Sequence, residues 1–96
     1  MHAALLLLTL LAADPAPRVE RAHINIDVVD ADIRDVLRLI ADVSHLNFVL
    51  DDAVKGTVTA QLHDVAWDDA LSAILVSKGL VAVPFGEDIL LVQIAP

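Results

Sequence analysis

Adjacent aspartates occur twice in this 96-residue chain, at Asp51-Asp52 and Asp68-Asp69. Paired carboxylates are candidates for general acid–base chemistry only when they converge on one bond. Asp68 and Asp69 sit in "DVAWDDAL", directly after the only tryptophan, Trp67, where a helical pattern begins. Neighbours on a helix point about 100° apart around its axis, so these two carboxylates diverge into solvent. A first helical turn favours both of them through its free N–H groups and the positive end of the macrodipole. Asp51-Asp52 precede "AVKG". A calcium loop there would need about six to eight oxygens, and only two side chains and nearby carbonyls are on offer. A solvated turn is the simpler expectation.

The other chemistry-bearing residues are scattered. His2, His23, His45 and His63 show no ligand spacing, and a histidine closing a helix, as His45 does, is favoured there when protonated. Ser44, Ser72 and Ser77 lie on or near helical patterns with no nucleophile elbow around them. No glycine-rich phosphate loop is present, and the absence of cysteine removes thiolate ligands and disulfides. The sequence therefore predicts no catalytic residue, no metal site, no cofactor and no small-molecule substrate. By elimination it points to a binding or assembly module.

Charge narrows the partner. Fourteen acids against six Lys and Arg give a formal charge of −8, which repels phosphate backbones and anionic membrane surfaces. Three aromatics leave little for base stacking, so nucleic acid is not expected as a ligand. A protein partner should present some basic surface.

The elements that must position any site follow from periodicity. The apolar run from Ala3 to Ala13 is too short to span a bilayer, which needs roughly 20 residues, and it fits a signal-peptide h-region. The n-region lacks Lys and Arg, and a buried strand or helix is the alternative. With export, residues 1–16 form the signal peptide and residues 22–96 the mature domain. "HINIDVV" alternates, with Ile24, Ile26 and Val28 on one face of a strand. Ile33, Val36, Leu37, Ile40 and Ala41 then form a helical stripe, with Asp32 as N-cap, Asp35 in the first turn, and Arg38 and Asp42 four apart outside. "NFVL" reads as a strand, and "DDAVKG" as its exit turn, with Gly56 supplying permissive geometry. "TVTAQLH" turns Val58, Ala60 and Leu62 inward. A second helix carries Trp67, Ala70, Leu71, Ile74 and Leu75 and stops at Gly79, a suitable C′ residue. "LVAVPF" and "DILLVQI" are final strands joined by Gly86-Glu87 in a two-residue hairpin. Pro84 cannot donate to a ladder, which puts the end of the first of them at a sheet edge or beyond the pairing. The order is β-α-β-β-α-β-β, an α+β chain.

The stretches "DADIRDVLRLIA", "VKGTVTAQL", "WDDALSAIL", "KGL" and "ILLVQIAP" resemble the short N-terminal domain shared by secretins and TonB-dependent receptors, over about Ile24 to Pro96. The "VKG-x-VT" turn followed by "W-D-x-AL" is most similar to type IV pilus secretins. The family usually has proline before this tryptophan, where Ala66 stands here; proline suits a first helical turn, so its loss should cost little. The resemblance implies two helices packed between a two-stranded and a three-stranded sheet, a periplasmic location with possible outer-membrane association, and protein–protein contact as the function. Expected partners are envelope proteins of a pilus or secretion machine, either the secretin or an inner-membrane alignment component. Signalling of the TonB-receptor type is the alternative. A secretin would continue beyond Pro96 into ring and barrel domains, so the expectation is a free-standing copy or a truncated secretin.

Two surfaces are candidates for partner binding. One is the edge strand from Val81 through Val83 to Phe85, which could accept a partner strand. The other is the charged outer face of the first helix, Arg34, Asp35, Arg38 and Asp42. Trp67, Gly56 and Gly79 are expected as structural anchors.

Overall fold

The computed structural model describes residues 21–96. The expected signal peptide lies outside the described residues. Strand β1 spans His23–Asp32, helix α1 Ile33–Ser44, β2 Asn47–Leu50, β3 Thr57–Ala66, helix α2 Trp67–Ser77, β4 Leu80–Phe85 and β5 Ile89–Ile94. Strands β1 and β3 form an antiparallel ribbon, and the other three form a sheet of order β2-β5-β4. Both helices lie between the two sheets, as the resemblance implied, with β2 parallel and β4 antiparallel to the central β5.

Helix α1 forms where local chemistry and periodicity agree. Asp32 has extended backbone, and its carboxylate accepts the Arg34 N–H at 2.9 Å, satisfying one of the free donors of the first turn. Ile33, Val36, Leu37 and Ile40 are buried, and Ala41 is half-buried at the stripe's margin. The helix ends at His45, whose backbone is left-handed (φ 60°) and whose N–H donates to the Ala41 carbonyl.

The ribbon is longer than its alternating stretches predict. Register shifts interrupt the pairing between Ile24 and Ile26 and between Val28 and Ala31, so β1 runs on to Asp32 and β3 to Ala66. Asp30 and Asp64 take positive φ, 50° and 54°, beside these irregularities. Their N–H groups, turned out of the ladder, donate to Thr59 Oγ1 at 3.0 Å and to Asn25 Oδ1 at 2.8 Å. Asp and Asn tolerate this backbone region better than most residues, which is why the bulges fall where they do.

Helix α2 buries Ala70, Leu71, Ile74 and Leu75, with Trp67 half-buried against the same core. Ala66 is its N-cap rather than a residue of its first turn, and it supplies no side-chain acceptor. The helix ends as predicted: Gly79 takes φ 69° and its N–H donates to the Val76 carbonyl at 3.2 Å. The β4–β5 connection has three residues, Gly86, Glu87 and Asp88, because Phe85 pairs with Ile89. The expected two-residue turn fails because Asp88 serves another strand: its carbonyl accepts the Asn47 N–H at 2.8 Å at the start of β2. The β2–β3 loop is also more than a solvated turn. Val54 within it is fully buried in the core.

Candidate interaction surfaces

The acidic residues are used locally. Asp68 does not face open solvent as expected: its Oδ2 accepts from Arg21 Nη1 at 2.6 Å, and its Oδ1 is buried without a hydrogen-bond partner among the described residues. Asp69 is exposed. Trp67 donates its backbone N–H to the Ala22 carbonyl at 2.9 Å, so the segment ahead of β1 is tied to the start of α2 at two points. Asp51 Oδ1 accepts the Ala53 N–H at 3.0 Å and shapes the loop. His23 Nδ1 lies 2.9 Å from Asp64 Oδ1 on the exposed ribbon end, whereas His45 caps α1 and His63 is exposed on β3. Among the described residues no group of three His, Cys, Asp or Glu is placed to hold a metal ion. No described helix is long and apolar enough to cross a membrane.

The charged residues of α1 divide into two sets. Arg34 is turned inward, its Nε donating to the Val54 carbonyl at 3.0 Å and its Nη2 to the Asp51 carbonyl at 3.1 Å. It fastens the loop that carries Val54. Arg38 and Asp35 remain solvated, about three-quarters exposed, with 3.8 Å between their charged atoms; the expected Arg38–Asp42 pair is replaced by this i,i+3 contact. Pairs this exposed contribute little to stability, so both charges are available to a partner. Arg34, Leu37, Arg38, Ala41, Phe48 and Leu50 line a shallow groove between α1 and β2.

The β4 edge is free among the described residues. Strand β4 pairs only with β5, and Pro84, opposite Leu90, lies on it as predicted for an edge. Val81 and Val83 are half-buried, and Phe85 at the strand's end is exposed. Alongside runs a second open groove whose walls are Leu71, Ser72, Leu75 and Val76 of α2 and Leu80 to Ala82 of β4. Val76 is 79% exposed at its lip, an unusual site for a β-branched side chain on a helix. A strand added to β4 would find unpaired backbone groups on one side and apolar side chains on the other. Sequence periodicity missed Val76, which falls outside the buried stripe; its apolar character on the polar face was the available signal.

A family model described as "GspD-like, N0 domain" matches residues 26–92. The chain is 46% identical over 57 residues to the fimbrial assembly protein PilQ of Pseudomonas aeruginosa, a stretch that covers 59% of the chain and 8% of that relative. It superposes on the cryo-electron microscopy structure of the type IV competence pilus secretin PilQ of Vibrio cholerae with a TM-score of 0.60 at 41% identity, covering 76% of this chain and 16% of that one. The N0 domain of the type II secretin from enterotoxigenic Escherichia coli superposes with a TM-score of 0.67, over 77% of this chain and 96% of that one; at 17% identity this likeness is one of fold. The chain thus spans a small fraction of the pilus secretins that it resembles.

Proposed function

Because the chain belongs to the GspD-like N0 domain family of secretins, we propose that it is a non-catalytic periplasmic module that binds another envelope protein within a secretin-type outer-membrane assembly, of the type IV pilus or a type II secretion-like class. The likeness to PilQ proteins supports the pilus class. The observation that carries the reading is the β4 edge, free among the described residues, beside an apolar groove with Val76 and Phe85 exposed. An open edge on a domain this small supports completion by a partner strand. The charged face of α1, with Arg38, Asp35 and Asp42, is the second contact area.

The test is binding of the purified 96-residue chain to the periplasmic domains of pilus and secretion envelope proteins, by titration calorimetry. A specific complex is expected, weakened by Val76→Lys, which leaves the domain's stability within about 0.5 kcal/mol because the side chain is exposed. Failure to bind any such component would overturn the reading.

A further inference from the structure

The face of the β2-β5-β4 sheet turned away from the helices is apolar on all three strands. Pairing sets Val49 of β2, Leu91 of β5 and Val83 of β4 in one row. Ile89 and Phe85 form the next row, beside Asn47, and Val81 stands opposite Gln93 in the row beyond. Val49, Phe85 and Ile89 are 50%, 54% and 39% exposed, while Val92, on the helix side of the same central strand, is fully buried. No described element packs over this outer face. Isolated apolar side chains at a surface mean little, but a contiguous set on a sheet whose two edges are open among the described residues marks a contact surface.

Charge indicates what covers it. The β4–β5 loop puts Glu87 and Asp88 at the Phe85–Ile89 end of the face, with no Lys or Arg in that loop. Where β2 leaves the sheet, Asp51 and Asp52 border the other end. Arg34 is bound to the Asp51 and Val54 carbonyls, and Lys78, ahead of β4, is the one Lys or Arg within two residues of these strands in the described chain. A second copy of the chain would bring the same acids against each other, on a background of −8. We propose that this face docks a partner protein whose apolar side chains are flanked by lysine or arginine. The proposal rests on the interaction-module reading and assigns it a face distinct from the Val76 groove.

The probe is a capped decapeptide alternating valine and lysine, with its valine–glutamate counterpart as control. Each is titrated into the isotope-labelled 96-residue chain at low salt and followed by amide chemical shifts. The lysine peptide is expected to bind at least about tenfold more tightly, with shifts concentrated in β2, β4 and β5. The double variant Val49→Lys/Ile89→Lys should lose about tenfold in affinity for it; Val49→Ser/Ile89→Ser serves if circular dichroism shows the first unfolded. Equal binding of the two peptides, or shifts centred on the β1–β3 ribbon, would overturn the proposal. So would concentration-dependent self-association that Val49→Lys abolishes, since the occupant would then be a second copy. An envelope partner that binds the wild-type chain and the double variant equally overturns this face but leaves the module reading intact. A lysine peptide seated on the face, with no envelope partner found, overturns the module reading alone.

Discussion

The Arg34 guanidinium gives two donors to carbonyls of the β2–β3 loop, and between those carbonyls the chain inserts Val54 into the core. Hydrogen bonds from a charged donor contribute about 1.5–3 kcal/mol, and partial exposure places this pair toward the lower end. Arg34→Ala should therefore destabilise the domain by about 1.5 kcal/mol in urea denaturation, with faster hydrogen exchange in the loop. Arg34→Lys should restore less than half, because a single ammonium cannot span both carbonyls. The opposite sign is expected at His45, a β-carbon-bearing residue in left-handed geometry at the end of α1. His45→Gly should stabilise by about 0.5–1 kcal/mol, the relieved steric cost exceeding the added freedom of the unfolded chain; a thermal melt at neutral pH decides it. That His45 closes the helix could be read from the sequence, but its left-handed backbone and the role of Arg34 could not. Arg34 acts on carbonyls many residues away, and a solvated arginine on a helix face has the same local pattern.

At the scale of elements, α1 was legible almost residue by residue because its cap and its buried stripe agree with each other. Helix α2 was legible in its stripe and its glycine stop but not at its start, where the ribbon strand β3 runs directly into the helix at Ala66. An uncapped N-terminus is a standing deficit. Ala66→Ser should add about 0.5–1 kcal/mol, provided that the hydroxyl reaches a first-turn N–H, as measured by the denaturation midpoint at unchanged slope. The ribbon was under-read because bulges at Asp30 and Asp64 break the two-residue period that identifies a strand. The edge position of β4 was legible in part from Pro84, whereas the outer sheet face was not. "FVL" and "ILLV" are continuous apolar runs, and periodicity alone cannot say whether their second face is covered.

For the whole molecule, the charge balance makes association with a basic partner dependent on ionic strength. Raising salt from about 0.05 to 0.5 M should slow association far more than it speeds dissociation, a difference that stopped-flow measurements resolve. The strand order has a further consequence, for the time at which the fold can exist. Strand β5 is the last of the described chain, yet it is the middle of its sheet, joining β2 through pairs such as Phe48 with Leu90 and β4 through the hairpin. Until Ile89–Ile94 has been synthesised, β2 and β4 have no common neighbour, and Val92 is missing from the core. Such late, long-range closure makes folding slow and nearly all-or-none. Deleting residues 89–96 should leave a chain without cooperative unfolding by circular dichroism, whereas exposed-residue variants keep it. A polypeptide that must be threaded unfolded through a membrane before it folds would gain from this timing, because the order of synthesis itself holds back closure of the domain until its last strand has emerged.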